Sequence, residues 1–455
     1  MKVLICIPCL LTGGTEIQTL NTVQALVQGG HEVTVACYFE HTPEMVARYR
    51  KAGVEVILFS PEGVRVGGYK SILFLYRHLR RAVRAVRPDV VHVQYMAPGA
   101  TVILLLWLMG VKNIIATAHT AADIYRDLRL IHFLQRHCLR AFTCITERAE
   151  RSFFGTSQLY SPDLVLGKRN HFTIYNALPA QMRCNDNVDD NENCLRNVAL
   201  NLTQISQNSQ NNISEQDNQR ELDTIAQNGK SLRPCCHPEG DDAAEQQVNC
   251  DESQVKSCVA AVKSQELTAN SQEPNTKLTL GVVSRLEPIK GMDLVVPALA
   301  EVLKAYPETQ LLVVGDGTLR ASMEEQAAQL GCADHIRFVG RQPQEELSQW
   351  YSQMDIVLMP SRSEGFGLTA IEAMAHGCVM VASDVGGLPE VVRDGICGLL
   401  HRTEDVADMA AKIVSLIGDE ALYAQFRAQS LVEVEKYSFE RYSALMNDLY
   451  NKLGR

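Results

Sequence analysis

SRSEGFGLTAIEAMAHG, residues 361–377, follows the apolar run DIVLMPS. Ser361 to Phe366 reads as a loop, and Gly367 to His376 as a helix of good formers. An apolar strand, a glycine-bearing loop and a helix make the unit from which parallel sheets are built. The first amides of a helix have no partner inside it and carry the positive end of its dipole, so the amides of Gly365, Phe366, Gly367 and Leu368 suit an anion. Glu364 stands at the mouth of this loop, where a sugar attached to a bound phosphate would lie. Glu372 stands about one and a half turns inside the helix, where a carboxylate can accept from paired hydroxyls such as those of a ribose. The plainer alternatives are a helix N-terminal acid for Glu364 and a surface helix residue for Glu372.

Downstream of Lys277 the same unit repeats. KLTLGVVS, TQLLVVGDG, HIRFVG, DIVLMPS, CVMVAS and CGLLH read as strands with helices between them. Upstream, KVLICIP, HEVTVACY, VEVILFS, DVVHVQY, KNIIATAH, FTCIT and FTIYN do the same over the first 180 residues. Apolar runs separated by helices are strands buried on both faces, as in a parallel sheet. The fold expected is α/β: two Rossmann-like domains facing across a cleft, at 1–180 and 276–437, followed by an amphipathic helix at 438–455. Residues 181–275 break the pattern. They are rich in Asn, Gln, Asp, Glu and Ser, and segments of that kind bury too little apolar surface to offset their ordering entropy, so a disordered polar insertion is expected.

The 455 residues carry a net charge of −10, which speaks against a nucleic-acid partner. Fourteen cysteines do not form a framework. Cys6, Cys9, Cys37, Cys138, Cys144, Cys332, Cys378 and Cys397 lie in apolar segments and read as reduced, buried thiols. Cys235-Cys236-His237 has no CxxC or His-x-x-x-His partner, so no metal is expected. Asn201-Leu-Thr and Asn212-Ile-Ser match the glycosylation sequon, which matters only in a secretory compartment. MKVLICIPCLL has one Lys and no small-residue cleavage site, so it reads as a first strand. ATVILLLWLMGV (100–111) is too short to span a bilayer and reads as a core helix. A cytoplasmic protein is expected.

In open α/β sheets ligands bind off the carboxyl ends of the strands, so the loops there are the ones to inspect. Leu11-Thr-Gly-Gly-Thr-Glu16 follows the first strand, and Gly13 and Gly14 let a phosphate approach the backbone. It lacks the GxGxxG of a dinucleotide site, and the second strand ends without an acid, which argues against an NAD-dependent oxidoreductase. Ser284-Arg-Leu-Glu-Pro-Ile-Lys-Gly291 follows the first strand of the second half. Arg285 and Lys290 there suit a diphosphate, one as a planar fork and the other as a point charge.

Arg285, Lys290, and Glu364 with Glu372 in E-x7-E spacing, together with the later Asp384-Val-Gly-Gly-Leu-Pro-Glu390, resemble the donor site of retaining glycosyltransferase family 4. The resemblance covers residues 1–180 and 277–455. It implies the GT-B fold and sugar transfer from a nucleotide-sugar with retention at the anomeric carbon. By that resemblance Arg285 and Lys290 hold the leaving diphosphate, and no metal or other cofactor is needed. Glu364 contacts the donor sugar, Phe366, Gly367 and Leu368 the phosphates, and Glu372 the ribose. Gly340 and Arg341 border the base, Gly13 and Gly14 lie near the phosphate and the acceptor, and His119 in ATAHT faces the donor sugar. Family members often have Asp after that histidine; here Thr120 follows, with Asp123 three on. Bacterial surface glycans, often lipid-linked, are common acceptors in the family. YKSILFLYRHLRRAVRAV, around 70–87, sets Lys70, Arg77, Arg80, Arg81 and Arg84 beside an apolar face; it reads as a packed helix with a basic solvent face, or as a contact with anionic lipid. A sugar-nucleotide epimerase of the same fold and a non-catalytic nucleotide-sugar-binding partner are the competing functions.

Overall fold

The computed structural model describes residues 1–94, 99–122, 125, 128–166, 170–182 and 278–454. The polar insertion beyond Met182, with its cysteines and sequons, and Asp123 lie outside the described residues.

The apolar runs all form strands. β1 (Lys2–Ile7), β2 (Glu32–Cys37), β3 (Glu55–Leu58), β4 (Val90–Gln94), β5 (Ile114–Ala118), β6 (Ala141–Cys144) and β7 (His171–Thr173) make a parallel sheet in the order β3-β2-β1-β4-β5-β6-β7. β8 (Thr279–Val283), β9 (Gln310–Val314), β10 (Ile336–Gly340), β11 (Ile356–Met359), β12 (Val379–Ser383) and β13 (Gly398–His401) make a second, in the order β10-β9-β8-β11-β12-β13. The central strands are buried on both faces, β4, β5 and β12 along their whole length. Most positions are therefore apolar, and the polar ones, His92 and Gln94 in β4 and Thr117 in β5, are buried and hydrogen-bonded.

The first half carries α1 (Gly14–Gln28), α2 (Pro43–Lys51), α3 (Tyr69–Val86), α4 (Gly99–Leu108), α5 (Arg129–His137) and α6 (Glu147–Phe154). The second carries α7 (Val295–Leu303), α8 (Arg320–Gln329), α9 (Leu347–Tyr351), α10 (Leu368–Ala375), α11 (Leu388–Val391), α12 (Val406–Gly418), α13 (Glu420–Val434) and α14 (Phe439–Leu453). Of the thiols among the described residues, all but Cys9 are buried.

The last helix does not stay with the second half. Phe439, Tyr442, Met446, Leu449, Tyr450 and Leu453 recur at helical spacing and enter the core of the first half beside α1. Each such buried side chain contributes roughly 1.5–3 kcal/mol. Polar contacts set the docking. The Tyr442 hydroxyl is 2.7 Å from that of Thr22, Tyr450 is 2.7 Å from His92 Nδ1, and Asn447 donates to the carbonyl of Ala25 at 3.0 Å. The chain thus crosses between the halves twice, once after β7 and once before α14. The crossings touch where the Leu178 amide donates to the Tyr437 carbonyl at 2.8 Å.

Candidate functional site

Each sheet reverses its strand order once, between β1 and β4 in the first half and between β8 and β11 in the second. A crevice opens at such a point, beyond the carboxyl ends of the strands. The loops after β8 and β11 therefore flank one crevice. They are the two loops that carry Arg285 with Lys290, and Glu364 with Phe366.

Lys290 and Glu364 meet there, Nζ to Oε2 at 2.6 Å, each partly shielded from solvent. Arg362 ties the two loops together. Its guanidinium binds Asp293 through two 2.8 Å bonds, reaches Glu404, and donates to the Pro288 carbonyl, while its amide donates to the Ile289 carbonyl at 2.9 Å. Those bonds hold the Asp293 and Glu404 carboxyls below the usual carboxylate range. Two glycines allow the fit. A Cβ on Gly291 would lie 1.9 Å from the Pro360 carbonyl oxygen, and one on Gly386 would lie 1.7 Å from that of Glu364; both residues adopt positive φ.

Gly367 opens α10 in the left-handed region, at φ 100°, and no side chain caps the helix. Phe366 is buried, edge-on to Tyr437 and near Tyr175, so it anchors the loop from beneath. Glu372 is buried as well and is not a surface residue. The Tyr351 hydroxyl donates to its Oε2 at 2.9 Å and the Gln344 amide to its Oε1 at 3.0 Å. Burial pushes this carboxyl up from 4.5 to about 7, against the pull of those two hydrogen bonds.

The folded carboxyl holds its proton more tightly than the unfolded one. Its contribution to stability is full below about pH 4.5 and is lost as pH rises through about 7, a change on the order of 3 kcal/mol. Urea unfolding between about pH 5 and 7.5 is expected to show the wild type losing stability relative to Glu372→Gln. Parallel profiles would contradict the assignment.

On the facing side, α1 begins at Gly14, so Gly14 to Glu16 belong to the helix and the glycine loop is shorter than expected. Glu16 is buried and folds back over its own helix start. A Cβ on Gly13 would lie 2.5 Å from its Oε2, and Cys9 Sγ donates to its Oε1 at 3.1 Å. Burial raises the Glu16 carboxyl, and the charge of exposed Arg285, from the other half, lowers it in part. Gly14 faces α10, with Leu368 Cδ1 at 3.4 Å from where its Cβ would stand. Gly340 has positive φ, and the neighbouring Arg341 donates to Thr12 Oγ1 at 2.9 Å. His119 directly follows β5, is 6% exposed, and has its Nε2 2.7 Å from Gln94 Oε1. Burial pushes its pKa down to about 3, so the ring is neutral.

Further contacts join the halves near the donor loop. A Cβ on Gly365 would lie 2.4 Å from the His119 carbonyl oxygen. Glu390 accepts from the first amides of α6, Glu147 at 2.8 Å and Arg148 at 2.5 Å, while Arg148 lies 3.7 Å from Asp384.

Residues 12–154 match the model of Glycosyltransferase Family 4, and residues 263–431 match that of Glycosyl transferases group 1. The chain is related to both of these groups, and its two α/β halves have the GT-B architecture. A D-inositol 3-phosphate glycosyltransferase of Nocardia farcinica is 44% identical over 144 residues, 30% of this chain and 32% of its own. One from Segniliparus rotundus is 39% identical over 163 residues, 35% of this chain and 36% of its own. The matched segments thus span about a third of the length of these curated relatives. Anabaena HepE in complex with UDP and glucose superposes with a TM-score of 0.65 at 15% identity, covering 99% of this chain and 100% of its own. The lipopolysaccharide outer core galactosyltransferase WaaB, apo form, gives 0.61 at 14% identity, covering 99% and 100%.

Within this fold, Lys290 and Glu364 touch, Gly14 faces Leu368, Arg341 reaches the glycine loop, and the His119 carbonyl abuts Gly365. Arg285 stands apart from the Lys290–Glu364 pair in its contacts, between the charges of Glu16 and Glu287. Sequence reasoning missed Arg362, Gln344, Tyr351 and Gln94. Arg362 stands inside the opening stretch and the others stand in no motif, and each acts through a partner distant in the chain. Glu390 was visible as part of a motif, but its partner, the start of α6, was not.

Proposed function

We propose that this glycosyltransferase moves a sugar from a nucleoside-diphosphate sugar to an acceptor hydroxyl, with retention at the anomeric carbon. The observation that carries the reading is the pairing of Lys290 with Glu364 beside the uncapped start of α10, with the buried Glu372 further along the same helix. A cation and helix amides suit the diphosphate, Glu364 suits the sugar hydroxyls, and Glu372 suits the ribose. Gly340 and Arg341 would border the base, and Gly13, Gly14 and His119 would close the site from the first half. HepE has been solved with UDP-glucose, so a UDP-hexose is the first donor to try.

In the reaction the bond from the anomeric carbon to the phosphate oxygen breaks and one to the acceptor oxygen forms on the same face. The acceptor proton passes to the leaving phosphate. Lys290 and Arg285 stabilise the charge that collects on the diphosphate, which is preorganised electrostatic catalysis. Lys290 arrives neutralised by Glu364, so donor binding would divide its three N–H groups between carboxylate and phosphate.

We assign the acceptor to the glycans or lipid-linked glycans of a bacterial surface, met at the cytoplasmic face of the membrane. No helix among the described residues is long and apolar enough to cross a bilayer. α3 buries Leu75, Leu79 and Ala82 and leaves Tyr69, Ile72 and Leu73 exposed beside exposed Lys70, Arg77, Arg80, Arg81 and Arg84, a pattern suited to anionic headgroups. The test is release of free UDP from UDP-hexoses, with and without a bacterial lipid-linked glycan extract as acceptor. Release that depends on the acceptor is expected. Acceptor-independent release or isomerisation of the sugar would favour the epimerase, and UDP binding without turnover would favour a non-catalytic partner.

A further inference from the structure

We infer that Arg362 is a positioning residue: through the turn that carries Lys290, it sets where that ammonium stands against a bound diphosphate. The effect on nucleotide rests on the transferase reading above; the effect on the turn does not.

Lys290 and Glu364 come from loops that strand pairing does not fix. β8 and β11 pair in parallel at Leu280 with Ile356 and at Gly281 with Val357. That pairing stops short of both loops, where the strand order reverses and the crevice opens. The separation of the loops is therefore set by side chains and loop backbone.

Arg362 stands two residues before Glu364. Its guanidinium has five N–H groups in a planar fork, and each finds an acceptor. Nε donates to Glu404 Oε1. Nη1 donates to the Pro288 carbonyl and, at 2.8 Å, to Asp293 Oδ1. Nη2 donates to Asp293 Oδ2 and Glu404 Oε2, each at 2.8 Å. The Arg362 amide adds its bond to the Ile289 carbonyl at 2.9 Å. Pro288 and Ile289 are the first two residues of a one-turn helix, and Lys290 is the third. Asp293 belongs to the next turn, Met292–Leu294. Arg362 thus grips the chain on both sides of Lys290. Partly exposed ion pairs hold little unless they are bidentate or networked, and this one is both.

No donor is left over for a ligand. With its fork spent, Arg362 does not also hold a phosphate, and with Asp293 and Glu404 beside it the group is net negative. Its influence on a diphosphate passes through Lys290. Glu404 marks the group as held under strain. Its φ of 64° is one that side chains rarely adopt. Such a residue persists where its surroundings over-determine it, and here the two bonds from Arg362 do so. A second anchor keeps the turn from unfolding when Arg362 is removed. Glu287, just before the turn, accepts from the Thr318 hydroxyl at 2.7 Å and from its amide at 3.2 Å. Loss of Arg362 should therefore let the turn swing about that end and carry Lys290 away from Glu364.

The test is a double-mutant cycle of Arg362→Ala with Lys290→Ala, read as UDP affinity by calorimetry on the full-length protein. Arg362→Ala alone is expected to weaken UDP by about tenfold, the scale of one charge-assisted bond. In the Lys290→Ala background the same change should cost less than about twofold, because the group it positions is gone. Equal losses in the two backgrounds would overturn the inference and make Arg362 merely structural. Arg362→Lys keeps the charge but not the fork, so it should recover only part of the loss. Full recovery would overturn the inference as well.

The turn itself is read by hydrogen–deuterium exchange. The amides of Lys290 and Gly291 donate to the carbonyls of Glu287 and Pro288. In Arg362→Ala they are expected to exchange at least about tenfold faster, with those of β8 unchanged. Unchanged exchange at the turn would overturn the inference whatever the nucleotide does. Should Arg362→Ala fail to fold, Asp293→Asn breaks one side of the fork and carries the same cycle and the same exchange. A loss of about threefold that vanishes in the Lys290→Ala background is then expected. Additive losses or unchanged exchange would overturn the inference there too. A folded wild type that binds no UDP would count against the transferase reading, while exchange would still decide whether Arg362 holds the turn.

Discussion

Lys290→Ala is expected to lower the rate of sugar transfer by about 10²–10³-fold while leaving the protein folded. The magnitude is that of removing one preorganised charge or donor from a site where negative charge develops. Lys290 sits on the one-turn helix Pro288–Lys290 after β8, with its Nζ held at 2.6 Å from Glu364. The Arg362 bonds to Asp293 and the Pro288 carbonyl fix that turn without help from Lys290, so the loop should keep its shape when the ammonium is removed. Glu364 would lose its partner, but it retains solvent contact and can be hydrated, so unfolding free energy should change by no more than about 1 kcal/mol. Lys290→Arg should recover part of the rate, since it restores charge but not the compact geometry. The check is kcat and KM for UDP release beside urea unfolding. A Lys290→Ala enzyme within threefold of wild type would remove Lys290 from the chemistry.

The second large effect is expected at Gly365. A Cβ added there would lie 2.4 Å from the carbonyl oxygen of His119, which belongs to the other half of the molecule. A backbone carbonyl at the end of β5 cannot yield as a flexible side chain can, so the halves must part at this contact. A displacement on the order of 1 Å is enough to cost about 10²-fold in rate when a site is shared between two bodies. Gly365→Ala should therefore lose most of its transfer activity while its circular dichroism stays that of the wild type. Gly395→Ala is the control. Gly395, unlike Gly365, has positive φ, at 70°, and nothing stands within 4 Å of its Cβ position. It should cost about 1 kcal/mol of backbone strain and little activity. Wild-type turnover by Gly365→Ala would mean that closure at His119 is not needed.

Much of this architecture was legible in the sequence because parallel strands buried on both faces are apolar at most positions. KVLICIP and CVMVAS could hardly be anything else, and the helices between them set the order. The Lys290–Glu364 site was legible because its residues follow strands that flank a switch point. What was not legible depended on partners. The periodicity of Phe439, Tyr442, Met446 and Tyr450 reveals an apolar face but not which half covers it. Glu372 on its own looks like any helix glutamate, and it is the approach of Tyr351 and Gln344 that makes it a buried, hydrogen-bonded carboxyl. Glu390 sits in a visible motif, yet its task is to cap a helix in the other half. Patterns along a chain report exposure and local geometry; they do not report which distant group completes a hydrogen bond.

The central claim is that the loops after β8 and β11 form a nucleoside-diphosphate site. Isothermal calorimetry with UDP and GDP, on the wild type and on Arg285→Ala/Lys290→Ala, tests it most directly. The account predicts that one of the two nucleotides, UDP first, binds the wild type with one-to-one stoichiometry, and that binding is lost in the folded double variant. Binding that survives in the double variant, or a folded wild type that binds neither nucleotide, would contradict it.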